Sequence, residues 1–209
     1  MTENKQEVEG LLVPVEQYLE AGIHVGTKLK NGDTNQYIYK KRKDGIYVLD
    51  ITKINDGIKN ILKVIKEYDN EDIVLVATRT YTENAAKKMK KFIKGINIIT
   101  KRFIPGTFTN IESTHFVEPK IVIVCDPRSE KEAIREADYL GIKVIGLVDT
   151  DNLTKGIDYV IPINNKGRKS LALFFWILAR ELSLKQGNIK NYSEFKIPLS
   201  YFEKLDMES

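Results

Sequence analysis

Two acidic clusters are the residues best suited, by type and spacing, to do chemistry. Asp126-Pro127-Arg128 follows the apolar run 121–125, and Asp149-Thr150-Asp151 follows the apolar run 144–148. An open α/β sheet places its ligands at the carboxyl ends of its strands. There Asp126, Asp149 and Asp151 would hold a magnesium ion or move a proton, the equipment of phosphoryl transfer or hydrolysis. The same residues serve turns: an Asp caps the next helix or fixes a loop, and Asp126 would pair with its neighbour Arg128. The turn role is the commoner one and is preferred. A dinucleotide enzyme would carry a glycine-rich loop after its first strand. That position reads Asp50-Ile51-Thr52-Lys53, without glycine, and no Walker-type loop occurs in the chain. His24 and His115 lie far apart, zinc-ligand spacing is absent, and Cys125, at the end of an apolar run, reads as buried and inert. No catalytic residue, cofactor or metal is expected.

The basic groups are better organised. Tyr37-Ile-Tyr-Lys-Lys-Arg-Lys43 interleaves aromatics with the cations Lys40, Lys41, Arg42 and Lys43. Arg79 follows the apolar run 73–77, Lys101-Arg102 precede a Gly/Thr/Asn turn holding Thr107 and Asn110, and Lys166, Arg168 and Lys169 open the last long helix. A helix start adds free backbone N–H groups that favour an anion. Cations of this kind grip phosphates while Thr and Asn side chains reach sugars. Lys87, Lys88, Lys90, Lys91 and Lys94 crowd one helix; an ordinary solvated face explains them as well as RNA does. Loops with clustered charge are poor packing elements, so Lys40, Lys41, Arg42, Lys43, Lys166, Arg168 and Lys169 point to RNA.

These groups need a scaffold, and the hydrophobic pattern supplies one. Pro14 opens a short helix with Val15, Tyr18 and Leu19 inward, and Gly22 ends it. Residues 24–45 read as loop. A short strand (46–49) precedes a helix in which Ile54, Ile58, Ile61, Leu62 and Ile65 recur at spacings of three and four. Residues 73–77 form a β-branched run, the mark of a strand buried on both faces. Thr80 and Glu83 form a capping box for a helix that buries Ala85, Ala86, Met89 and Phe92. Strands follow at 96–99 and 121–125. Ser129 and Glu132 cap a third helix that Gly141 closes. Strands at 144–148 and 159–161 and a helix over 169–184 complete the pattern. Strand and helix in alternation imply parallel pairing with right-handed crossovers, hence a three-layer α/β domain with helices on both faces.

The chain has 209 residues, 42% hydrophobic and 30% charged, with a net charge of +4. That suffices for one large domain with its own core. We expect a loose tail over 1–10, a single α/β domain over 11–186 and an extension over 187–209. In the extension Tyr192, Phe195, Tyr201 and Phe202 alternate with charges and would dock on a protein neighbour or on the domain itself. One cysteine allows no internal disulfide, and the polar N-terminus lacks the apolar core of a secretory signal, so a reducing cytoplasm is expected. The apolar run 171–179 is too short to span a bilayer and reads as a buried helix; no membrane association is expected.

Four stretches together resemble the family of small-subunit ribosomal protein S-two, which includes the eukaryotic laminin-receptor-like protein. They are Ala21-Gly-Ile-His-Val-Gly-Thr27 with Tyr37-Ile-Tyr and Asp44-Gly-Ile-Tyr-Val-Leu-Asp50; Arg102-Phe-Ile-Pro-Gly-Thr-Phe-Thr-Asn110; Cys125-Asp-Pro-Arg128 with Glu132-Ala-Ile-Arg-Glu-Ala137 and Gly141-Ile-Lys-Val-Ile-Gly-Leu-Val-Asp-Thr-Asp151; and Val160-Ile-Pro-Ile-Asn-Asn-Lys-Gly-Arg-Lys-Ser-Leu-Ala-Leu-Phe-Phe-Trp-Ile-Leu-Ala-Arg180. In order, they cover nearly the whole domain. Only a short segment separates Asn110 from Glu118, where bacterial members insert a helical hairpin, and the chain lacks the long acidic tail of eukaryotic members. The resemblance is therefore to the archaeal branch.

The resemblance implies a flavodoxin-like, Rossmann-like α/β/α sandwich around a mainly parallel sheet of about five strands. It implies a structural constituent of the small ribosomal subunit, near the head–body junction on the solvent side. Such a protein binds small-subunit rRNA and neighbouring ribosomal proteins, supports late assembly and has no catalytic activity, no cofactor and no small-molecule substrate. Lys40, Lys41, Arg42, Lys43, Arg79, Arg102, Thr107, Asn110, Lys166, Arg168 and Lys169 are the expected RNA contacts. Two rivals stand beside this reading: a magnesium-dependent enzyme using Asp126, Asp149 and Asp151, and a protein-interaction module whose binding survives loss of the basic loops.

Overall fold

The computed structural model describes residues 10–205; the expected loose tail therefore lies almost wholly outside the described residues. Pro14 precedes α1 (Val15–Ala21), and Gly22 closes it in the left-handed region at φ 65°. Tyr18 and Ala21 are buried, whereas Leu19, expected inward, is exposed. So short a helix presents only a narrow stripe to the core, and Tyr18 takes it.

The chain then runs to a two-stranded antiparallel ribbon, β1 (Ile38–Lys41) and β2 (Tyr47–Leu49). Residues 24–45 were expected to be loop, so β1 is a correction. The turn is made at Asp44-Gly45: Gly45 adopts φ 88°, and its N–H donates to the Arg42 carbonyl at 3.0 Å. Asp-Gly between strand residues is a strong hairpin signal, masked here by the run of cations.

Asp50 caps α2 (Ile51–Lys66) through a 2.8 Å bond from the Thr52 N–H. The remaining elements are β3 (Ile73–Ala77), α3 (Thr80–Lys90), β4 (Asn97–Thr100), β5 (Ile121–Val124), α4 (Lys131–Leu140), β6 (Lys143–Val148), β7 (Tyr159–Pro162), α5 (Arg168–Lys185) and α6 (Leu199–Glu203). The last five strands form one sheet, in the order β4-β3-β5-β6-β7, and every pairing in it is parallel. The expected capping boxes do not form. Thr80 is the first residue of α3 and Glu83 pairs with Lys87, while the Ser129 hydroxyl turns back to Asp126 at 2.6 Å.

Side chains alternate across the sheet and divide the core in two. Ile73, Leu75, Ile121, Ile123, Ile145 and Leu147 face α2, α3 and α5; Val74, Val76, Val122 and Val124 face α4 and the rings of Phe103 and Phe108. The result is a three-layer α/β/α sandwich. Helix α3 carries the chain from β3 outward to β4, and α4 carries it from β5 the other way to β6. Right-handed crossovers running in opposite directions lie on opposite faces, so the switch point falls between β3 and β5.

Helix α5 is buried nearly all round, including the Arg180–Glu181 pair at 3.2 Å. The Arg180 guanidinium lies between the rings of Trp176 and Tyr192, 5.0 and 4.2 Å from their centroids, and donates to the Leu12 carbonyl. The C-terminal segment packs back on the domain. Trp176 Nε1 donates to the Ile197 carbonyl at 2.7 Å, and Phe202 is fully buried. Lys88, expected on a solvated face or on RNA, is buried and donates to the carbonyls of Tyr201 and Lys204. Among the described residues no helix is long and apolar enough to cross a membrane.

Candidate nucleic-acid interface

The switch point between β3 and β5 is where a sheet of this kind opens a ligand crevice. Here a side chain takes its backbone donors. Glu130, fully buried, accepts hydrogen bonds from the Thr78 N–H and hydroxyl (both 2.9 Å) with one carboxylate oxygen and from the N–H groups of Cys125 (2.7 Å) and Asp126 (2.9 Å) with the other. The backbone donors that would cradle a phosphate after β3 and β5 thus hold an internal carboxylate. Burial raises the Glu130 pKa to about 7, against the downward pull of these donors. The sequence reading passed over Glu130, because its Thr78 donors come from 52 positions away.

The flanking acids are engaged as well. Asp126 pairs with Arg79 Nε at 2.5 Å and accepts the Ser129 hydroxyl and the Arg128 N–H. The expected Asp126–Arg128 ion pair is corrected: the Arg128 guanidinium lies 4.0 Å from Asp151 instead. Lys166 bridges Asp149 at 3.2 Å and Asp151 at 2.6 Å. Burial pushes the Asp149 carboxyl up, and the Lys166 ammonium counters it. The Cys125 thiol is fully buried and its pKa is raised by that burial and by Glu130. Among the described residues no three His, Cys, Asp or Glu side chains are grouped to hold a metal ion.

The sequence motifs at this edge are explained by internal bonding. Asn164 Oδ1 accepts the N–H groups of Lys166 and Gly167, and Asn165 Nδ2 ties the Leu147 carbonyl to Asn152 at 2.8 and 2.9 Å. Thr150 pins the loop before β1: its hydroxyl bonds the Leu29 carbonyl, and its own carbonyl accepts from Thr34 Oγ1 and the Asn31 N–H. Gly26 must be glycine, since a Cβ there would lie 2.5 Å from Thr150 Cγ2 and 2.9 Å from the Tyr47 carbonyl.

Away from the edge the cations are open to solvent. Lys40, Lys41, Arg42 and Lys43 are all exposed on the β1–β2 ribbon and line one shallow hollow with Asp44. Arg42 pairs with Asp44 at 3.1 Å, an exposed contact of little strength. Lys30 and Lys41 sit over the Tyr47 ring at 5.6 and 5.1 Å, so the pinned loop adds a cation that sequence reasoning did not select. Arg168 and Lys169 are exposed at the start of α5, and Arg102 and Asn110 on the loop after β4.

The structure therefore groups Lys40, Lys41, Arg42 and Lys43, and separately brings Arg79 and Lys166 to one hollow of about 550 Å³ at the sheet edge. Both members of the second pair are ion-paired within the protein. Thr107 lies apart from either group: it is buried, and its hydroxyl donates to the Ile104 carbonyl at 2.5 Å. Its loop is held to α4 by Glu136, which accepts the N–H groups of Gly106 and Phe108.

Comparison with known proteins matches the geometry. The family model for ribosomal protein S2 covers residues 18–116 and 111–183. Small ribosomal subunit protein uS2 of Picrophilus torridus is 43% identical over 195 residues, 93% of this chain and 97% of its own. The uS2 proteins of Methanococcus maripaludis and Staphylothermus marinus are each 41% identical, over 95% and 97% of this chain and 88% and 91% of theirs. With its three-layer fold and with archaeal relatives matched nearly end to end, the chain belongs to the ribosomal protein S2 family.

Proposed function

We propose that the protein is a structural constituent of the small ribosomal subunit, bound to its rRNA and to neighbouring ribosomal proteins and acting in assembly and translation rather than in catalysis. One observation carries the reading. The strand-end donors that a ligand-binding sheet would turn to a phosphate are taken by Glu130, while the exposed cations Lys40, Lys41, Arg42 and Lys43 stand together on a ribbon outside the sheet. The names of the relatives agree with it. Lys40, Lys41, Arg42 and Lys43 form the principal RNA surface, with Arg168 and Lys169, Arg102 and Asn110 adding contacts at other points. Arg79 and Lys166 contribute field rather than direct grip, because each already faces carboxylates. Thr107 supports the loop that carries Asn110. The setting is the cytoplasm, on the ribosome, with no membrane, cofactor or small-molecule substrate.

The test is sedimentation of a cell lysate on a sucrose gradient at low and high salt, with the protein followed by immunoblot. It should travel with the small subunit and be shed as salt rises, since phosphate contacts release counterions. A protein that stays at the top of the gradient at every salt concentration refutes the reading.

A further inference from the structure

We propose that the β1–β2 ribbon receives one unstacked nucleobase on the ring of Tyr39, with Lys40 and Arg42 holding the adjoining phosphates. The proposal rests on the RNA reading above and adds to it a site for single-stranded rather than paired RNA.

Three observations meet at Tyr39. The pairing register shifts between Ile38, opposite Leu49, and Lys40, opposite Val48, so Tyr39 is the extra residue of a bulge. A bulge re-aims a side chain out of the ladder. The Tyr39 side chain is accordingly 68% exposed, where its neighbour in the ladder, Val48, is buried. Finally, Lys40 Nζ lies 5.6 Å from the Tyr39 ring centroid, at the head of the run Lys40, Lys41, Arg42 and Lys43. An exposed aromatic face beside a track of cations is the arrangement that holds single strands, because every base offers a π face and every linkage a phosphate.

The surface beside the ring has the matching shape. Tyr39 lines a hollow of about 470 Å³ with the apolar side chains of Leu19, Leu49 and Ile51 and the polar ones of His24, Lys40 and Arg42. This also accounts for Leu19, which α1 leaves exposed. Burial, helped by the charge of Arg42, lowers the His24 pKa against the pull of the Tyr18 backbone, and its Nδ1 is buried without a partner, so His24 borders the hollow without presenting both ring nitrogens to a base. The one acid lining the hollow, Asp50, is occupied as the cap of α2. A base in an A-form duplex is stacked and its edges are largely hidden, so the occupant is a base from a loop, bulge or end.

Fluorescence anisotropy with the full chain tests this against two labelled probes, a mixed-sequence single-stranded oligoribonucleotide and a fully paired RNA duplex. Tyr39→Leu keeps apolar bulk and removes the π face. It should weaken single-strand binding about tenfold while leaving duplex binding and the salt slope unchanged. Tyr39→Phe should bind as the wild type does. If Tyr39→Leu binds the single strand as tightly as wild type, stacking is overturned and the RNA reading stands. If it weakens both probes equally, the ring is a general contact and the single-strand site is overturned. If wild-type protein binds neither probe, the RNA reading falls and the stacking proposal with it.

Discussion

The carboxyl edge of the sheet and the β1–β2 ribbon are both rich in charge, yet only one of them faces outward. At the edge Arg79, Arg128 and Lys166 stand against Asp126, Asp149 and Asp151, and Glu130 is sealed between two strand ends. On the ribbon the cations Lys40, Lys41, Arg42 and Lys43 meet a single acid, Asp44, and Lys30 joins them from the adjoining loop. A charged residue is a candidate for binding only in so far as its own fold leaves it unpaired. The fold here is one that elsewhere hosts ligands in its crevice. In this chain the strand ends form a structural joint and the cations left without carboxylates gather on an appendage, which is why function has to be argued from the site and not from the fold.

The sharpest way to break that contrast is to strip the ribbon. Replacing Lys40, Lys41, Arg42 and Lys43 together by Ala should reduce RNA affinity about a hundredfold or more at low salt and lower the slope of log affinity against log salt by about 3. Stability should change little, because exposed cations on a ribbon contribute little to folding. Affinity titrations at several salt concentrations, with urea unfolding alongside, read both quantities. An unchanged slope would remove the ribbon from the interface.

Glu130→Gln attacks the other region. Two of the four donors facing the carboxylate would meet an amide NH₂ group in place of an oxygen, so a loss of about 2–4 kcal/mol is expected, with RNA affinity unaltered wherever the variant is folded. The wild-type group adds a pH signature. Its folded pKa of about 7 lies above the ordinary 4.5. The unfolded chain releases this proton first, so the contribution of Glu130 to stability falls as pH rises from about 4.5 to about 7 and is level outside that window. The advantage of wild type over Glu130→Gln, from unfolding curves across that range, should narrow as pH rises. An advantage that widens would mean that the four donors outweigh burial.

What the sequence revealed follows from the range of the interactions involved. The strands of the main sheet were plain because a parallel strand buried on both faces is a continuous apolar run, as Ile73-Val-Leu-Val-Ala77 is. Gly22 and Gly141, both left-handed, marked helix ends. The capping boxes were misread: the Ser129 hydroxyl bonds the Asp126 carboxylate, and Thr80 lies inside α3, one residue past the N-cap at Arg79, while Glu83 pairs with Lys87. β2 was expected, but its partner β1 was missed although Asp44-Gly45 announced the turn between them. Four adjacent cations made it look like loop, so the segment stood out by its charge before its backbone was known. Glu130, the pairing of Lys166, and the burial of Lys88 under residues 201–204 are long-range facts that no local pattern carries.

The smallest expected effect is the most discriminating, because it divides a cluster that is continuous in sequence. Lys166, Arg168 and Lys169 look alike on paper, and the structure separates them: Lys166 bridges two acids, while Arg168 and Lys169 are exposed at the start of α5. Lys166→Met removes the countercharge of Asp149, whose carboxyl burial already raises, and leaves Asp151 only the Arg128 guanidinium at 4.0 Å. It should cost about 1–3 kcal/mol of stability and leave the salt slope of RNA binding unchanged. Arg168→Ala with Lys169→Ala should do the reverse, lowering the slope by about 1–2 with stability held within about 0.5 kcal/mol. The two variants compared in the same titrations and unfolding curves measure directly whether internal pairing decides which cations reach RNA. If Lys166→Met lowers the slope as the double variant does, the salt bridges at the sheet edge open on binding, and the edge belongs to the interface after all.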